Sequence, residues 1–232
     1  MSLEAFEQMK TQHPLSRDRR RIEQVQRVGE RLARVVFWDM PNADWEFVVF
    51  DEPREINAFA MAGGKVGVFS GLFAIVDTDD ELATVLAHEI AHVTAKHINE
   101  RLSHQNLVQT GGIAVGTLMA TSGAMGLTTG AVLDAYGLST SGGVSLAFDR
   151  QKEEEADRIG LIYMARAGFD PEAAVRVMEK LDAVTGGQPI VPAFLSNHPP
   201  TPDRIARLND EMPQALAAYQ ASSIKQAPVV LH

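Results

Sequence analysis

Ala87-His88-Glu89-Ile90-Ala91-His92 reads H-E-x-x-H. Its residue types and spacing are those of a metal-dependent hydrolase. If the run is helical, His88 and His92 lie four positions and about one turn apart, so both imidazoles project the same way and can grip one zinc ion. Zinc polarises a scissile carbonyl and acidifies water. Glu89, one step round the helix, is placed to take the water's proton and pass it to the leaving amine rather than to bind the metal. Chance matches to so short a pattern occur on ordinary surface helices. Here, however, the motif sits within an apolar helix, where two His and a Glu are costly unless coordinated or hydrogen-bonded.

The surrounding element is predicted as a helix from about 79 to 102. Thr78-Asp79-Asp80-Glu81 is a capping box with acids in the first turn. Leu82, Val85, Leu86, Glu89, Ile90 and Val93 recur at helical spacing, and neither Pro nor Gly interrupts Asp79 to Leu102.

Two His on one helix call for a third ligand from elsewhere. His97, five residues past His92, falls well off the ligand face and reads as a structural or helix-end histidine, and His104 has no claim. The acidic run from Glu153 is the better source. On a helix about 150–167, Glu153 and Asp157 share a face, so Glu153 could bind the metal while Asp157 accepts a hydrogen bond from a ligand imidazole. Glu154 and Glu155 read as a solvated acidic face.

The remaining elements follow from local signals. A short helix is expected over 2–12. A longer one capped by Ser16 buries Ile22, Val25, Val28, Leu32 and Val35, with its Arg and Glu residues on the solvated side. Trp45 to Phe50 reads as a strand. Residues 55–61 and 65–69 read as two short strands about Gly63-Gly64, with a short helix beginning at Ser70. The open edge of such a strand, at Asn57, Ala58 and Phe59, could pair with an extended substrate backbone, or the pair could be a plain hairpin. Residues 102–148 carry Asp134 as their one formal charge and are rich in Gly, Ala and Thr. Helical pieces at about 104–120 and 127–137 suggest a lid over the site (103–149). A transmembrane span is disfavoured because Gly, Thr, Ser and Gln break the apolar run, leaving peripheral membrane contact as the alternative. Gly168 stops the second ligand helix, Asp170-Pro171 starts another over 171–183, and Thr201 caps a short helix over 202–210 with one more after Pro213, placing the C-terminal helices within 171–221.

Composition narrows the class. The chain has 232 residues, net charge −9 and no cysteine. Disulfides, thiolate zinc sites and a Cys nucleophile are excluded. Outside Arg17 to Arg21 there is no basic block, so nucleic acid is not an expected partner. No signal peptide is read at Met1-Ser2-Leu3.

The paired motifs carry a resemblance. "ELATVLAHEIAHVTAKH" (81–97) together with "EEEADRIGL" (153–161) resembles the HtpX and CAAX-prenyl-protease family of gluzincin metallopeptidases, and within it the soluble, exported BepA, LoiP and YcaL-like branch. "INAFAMAGGKVGVFSGL" (56–72) is similar to that family's edge strand and turn, and "NHPPTPDRI" (197–205) to its downstream element. The resemblance implies Glu153 as third zinc ligand and brings His198 and Arg204 into the site. His198 would stabilise the oxyanion, occupy the open zinc position as a latch, or only order its Pro-rich loop. Arg204 would support the ligands from behind.

The expectation is therefore one mostly helical α+β metallopeptidase domain over 1–232, with a small sheet beside the H-E-x-x-H helix and one Zn2+ per chain. The resemblance implies cleavage of unfolded or misassembled proteins in the periplasm or cell envelope. A zinc-containing chaperone that mainly binds is the alternative, and Glu89 separates the two. A structural zinc module is disfavoured by a Glu beside two His and an open fourth position.

Overall fold

A computed structural model describes residues 2–97, 150–185, 194 and 197–224. The expectations for 102–148, lid or membrane contact, lie outside the described residues. Among those described, no helix is long and apolar enough to cross a membrane.

The elements run α1 (Ser2–Gln12), α2 (Arg19–Val36), β1 (Glu46–Phe50), β2 (Ala58–Met61), β3 (Lys65–Phe69), a 3-10 turn (Ser70–Ala74), α3 (Asp79–Thr94), α4 (Arg150–Arg166), α5 (Ala173–Thr185) and α6 (Pro202–Ala221). The result is a mostly helical α+β architecture with a small sheet, as expected.

The sheet is ordered β1-β3-β2, with β1 parallel and β2 antiparallel to β3. Gly63 and Gly64 turn β2 into β3 at φ of 90° and 85°, a region that costs glycine little. Successive strand residues face opposite sides. Ala58, Ala60, Val66 and Val68 join the main core with the helices, while Phe59, Met61 and Phe69 join a second core with Phe6 and Met9 of α1. The sheet is thus covered on both faces.

α3 begins as its sequence predicts. Thr78 accepts a hydrogen bond from the Glu81 backbone N–H. The reciprocal bond goes one residue further back, where Glu81 Oε2 accepts from the Asp77 N–H. The helix ends earlier than expected, at Thr94 rather than about 102. Lys96 then adopts φ 62°, the one positive φ at a non-glycine among the described residues, and interrupts the helix before His97, which is helical again.

α2 also differs in detail. Its cap is Asp18, whose Oδ1 accepts from the Arg20 N–H, while Ser16 Oγ accepts from the Asp18 N–H one turn earlier. Nor are its arginines only a solvated face. Arg27 grips Asp79 with two hydrogen bonds of 2.9 and 2.8 Å, where its charge meets the acid of α3's first turn. Arg31 donates to the Ala167 and Gly168 carbonyls at the end of α4 and lies 3.7 Å from the Phe169 ring centroid. Through these two contacts α2 fixes the start of α3 and the end of α4.

α3 and α4 form the most extensive helix contact. Gly160 makes it possible: a Cβ there would meet His88 N at 3.0 Å and Ala87 O at 3.1 Å. Gly168, at φ 77°, ends α4, with the Phe169 N–H returning to Met164 O at 2.9 Å.

The C-terminal segment corrects the sequence reading. Thr201 caps α6 as expected, but one helix runs through Pro213 instead of two meeting there. Leu208, Met212 and Ala215 are all buried, so the packed face is continuous across the proline, whose ring is exposed on the far side. Tertiary packing here outweighs the missing backbone donor.

Candidate metal centre

Four buried side chains converge. One ligand atom each from His88, His92, Glu153 and His198 lies within 4.8 Å of the others. α3 supplies the histidine pair, α4 supplies Glu153, and the segment before α6 supplies His198. His88 Nε2 and His92 Nε2 are 3.1 Å apart. The Glu153 carboxylate lies 3.4 Å from the first and 3.3 Å from the second. His198 Nδ1 lies 2.9 Å from Glu153 Oε1 and 3.2 Å from His88 Nε2.

Behind these atoms stands a layer of charge. Arg204 donates two hydrogen bonds of 2.7 Å to the Asp157 carboxylate. Its Nη1 lies 2.9 Å from Glu153 Oε2 and also donates to the Pro199 carbonyl. Asp157 Oδ1 in turn lies 2.9 Å from His88 Nδ1, at contact distance though not aligned as a straight hydrogen bond. Arg204 therefore ties the His198 segment to both carboxylates of α4.

The electrostatics suit a cation. Burial opposes charge on His88, yet Asp157 and Glu153 outweigh it and raise its pKa to about 10. The pocket thus favours positive charge at this point, and a bound divalent ion supplies the same charge. Burial pushes His92 well below the ordinary imidazole value, leaving it neutral and able to donate a lone pair. Burial disfavours ionised Glu153, but the charges and hydrogen bonds of His198, His88 and His92 hold its carboxyl far below the usual range. Arg204 does the same for Asp157 against its own burial.

Two imidazoles and one ionised carboxylate, with a third imidazole beside them, are a zinc-type donor set. Glu89 Oε1 is buried without a hydrogen bond, and Glu153 Oε2 meets Arg204 Nη1 at 2.9 Å and His88 Nε2 at 3.4 Å without an aligned one. Glu89 itself is 6% exposed, its Oε1 lying 3.4 Å from His198 Nε2. Burial pushes its carboxyl up, with His198 and His88 pulling it back.

Asn57, Ala58 and Phe59 do not join this cluster. They lie at and before β2, an edge strand of the sheet among the described residues, against which α3 packs. Phe59 is 1% exposed in the second core, so its side chain faces away from any substrate there. The Ala58 N–H already donates to Asn57 Oδ1.

The acidic run is engaged more fully than sequence suggested. Glu154 pairs with Arg207 at 3.0 Å, and Glu155 lies 3.2 Å from His97 Nε2. His97 is buried, with its Nδ1 2.9 Å from His92 Nδ1. Helical spacing places it off the ligand face. What brings it back is the turn at Lys96, and no sequence signal marks that turn.

Two helices presenting His-Glu-x-x-His and a distant Glu around one buried point define the gluzincin class of metallopeptidase domain. The profile of Peptidase family M48 matches residues 19–212. The chain belongs to that family. It is 36% identical over 198 residues to the mitochondrial metalloendopeptidase OMA1 of Schizosaccharomyces pombe, covering 85% of this chain and 55% of the relative. It is 38% identical over 158 residues to the beta-barrel assembly-enhancing protease of Escherichia coli, covering 66% and 31% respectively. With the protein of the same name from Yersinia pestis it shares 31% over 223 residues, covering 92% and 44%. The chain thus spans from about a third to little more than half of these relatives.

Proposed function

We propose that residues 1–232 form one metallopeptidase domain that hydrolyses internal peptide bonds of unfolded or misassembled proteins with one zinc ion per chain. The observation that carries this is the buried group His88, His92, Glu153 and His198 beside an unsatisfied Glu89. His88, His92 and Glu153 hold the ion, and Asp157 and Arg204 hold the ligands. The ion, when bound, polarises the scissile carbonyl and acidifies water. Glu89 takes the water's proton and returns it to the departing amine nitrogen. The edge of β2 aligns an extended substrate through backbone hydrogen bonds.

His198 acts as a latch in this reading. Its Nδ1 sits among the other ligand atoms, 2.9 Å from Glu153 Oε1 and 3.2 Å from His88 Nε2, so it would compete with water for the ion. A transition-state role is the second reading, favoured by Nε2 facing Glu89.

The substrate class and a periplasmic or envelope location rest on likeness to the bacterial relatives, named for β-barrel assembly. The fungal relative, named as mitochondrial, supports the same class of cleavage in another compartment.

The test is cleavage of an unstructured protein by the zinc-loaded chain. Glu89→Gln is expected to keep one zinc and lose at least about 100-fold in rate, and a chelator to abolish cleavage. Zinc retention with unimpaired cleavage by the Gln variant would sink the assignment of Glu89. A latch predicts that His198→Ala raises the rate; a stabiliser predicts that it lowers it.

A further inference from the structure

We infer that His97 is a positioning residue for His92, fixing its tautomer for metal binding, and that Glu155 anchors His97. The inference rests on the proposed metal site and adds to it a hydrogen-bonded chain from a ligand imidazole to the protein surface.

The argument is one of donors and acceptors. Glu155 Oε2 lies 3.2 Å from His97 Nε2, and an ionised carboxylate can only accept. His97 Nε2 therefore carries the hydrogen. In the neutral ring Nδ1 is then an acceptor. His97 Nδ1 lies 2.9 Å from His92 Nδ1, so that atom of His92 must donate. With its hydrogen on Nδ1, His92 presents a bare lone pair at Nε2, the atom 3.1 Å from His88 Nε2 and 3.3 Å from Glu153 Oε1. His88 meets Asp157 directly at its own Nδ1, so both ligand imidazoles end on a carboxylate, one of them through an intervening ring.

The backbone supports the assignment. Continued as a helix, α3 would carry His97 about 140° round from His92, out of reach. Instead α3 ends at Thr94, and Lys96 takes a left-handed conformation that L side chains seldom adopt. That turn puts a 2% exposed His97 ring against His92. A strained residue sustained beside a site signals that the contact it makes is used. Glu155 projects from the helix that bears Glu153, with its side chain 49% exposed, so the chain also links the two ligand helices.

The test measures zinc affinity by competition with a chromophoric chelator, in wild type and in His97→Ala, His97→Asn, Glu155→Ala and His88→Ala. The unfolding midpoint of each metal-free protein is recorded alongside. His97→Ala is expected to weaken binding about 10- to 100-fold. In His97→Asn the amide oxygen falls near the position of Nδ1 and accepts from His92, so most of the affinity should return. Glu155→Ala, at a half-exposed site, should fold normally and bind several-fold more weakly. Nitrogen-15 imidazole spectra should show the Nδ1–H form of His92 in wild type and His97→Asn, and a tautomer mixture in Glu155→Ala. A purely structural His97 would lower the metal-free midpoint without moving the tautomer. Wild-type affinity in both His97→Ala and Glu155→Ala overturns the inference, as does an unchanged His92 tautomer in Glu155→Ala. Absence of zinc from the wild type, or equal zinc in His88→Ala, would instead overturn the metal site itself.

Discussion

At the residue scale, the centre depends on one buried cation. Arg204 is 2% exposed and answers both Glu153 and Asp157. That guanidinium offsets part of the cost of burying the two carboxylates. Arg204→Ala should therefore cost about 3–5 kcal/mol, read as a lower urea midpoint, and should reduce zinc content. A loss below about 1 kcal/mol with full zinc would mean that solvent replaces the guanidinium. Histidines and carboxylates were legible at this scale because their chemistry fixes their spacing. H-E-x-x-H and the E-x-x-x-D pattern each lie on one helix, where three or four residues bring side chains to one face. His97 was not legible, because its contact follows from a backbone turn at Lys96 rather than from helical period. The engagement of Glu154 and Glu155 was hidden similarly, since their partners come from other segments.

At the scale of elements, the gap between α3 and α4 sets the distance from the histidine pair to Glu153. At Gly160 a Cβ would meet the α3 backbone at 3.0 Å. Gly160→Ala adds one methyl group against the backbone of Ala87 and His88. It should push the helices apart, destabilise by about 1–3 kcal/mol and weaken zinc binding more than an Ala elsewhere on α4. Unaltered zinc affinity in a destabilised protein would show that the ligands re-aim independently of helix spacing. Helix starts were readable because caps are local: Thr78 and Thr201 both accept from the backbone as predicted. Pro213 misled because a local breaker was overruled by the buried face of α6. The arginines of α2 misled because their partners, Asp79 and the end of α4, are distant in sequence.

At the scale of the whole molecule, the centre joins α3, α4 and the segment leading into α6, which the backbone connects only over long stretches. An ion bound by all three should act as a clasp. Zinc at 100 times its dissociation constant stabilises the folded state by about 2.7 kcal/mol. Adding zinc after chelation should raise the melting temperature by several degrees. A rise that survives in His88→Ala would place the stabilising ion elsewhere.

The second core has a separate consequence. α1 packs on the far face of the sheet, with Phe6 and Phe59 edge to face and Lys10 bonded to Glu46. Phe6→Ala should cost about 3–5 kcal/mol and speed hydrogen exchange in β2 while leaving zinc affinity unchanged; equal loss of both would mean that the two cores yield together. β2, proposed above to align substrate, has α3 of the metal centre packed on one face and α1 on the other. α1 bears on all three strands from the side away from α3, so a partner that gripped this short helix would loosen or stiffen the proposed track for substrate before it reached the chemistry beside it.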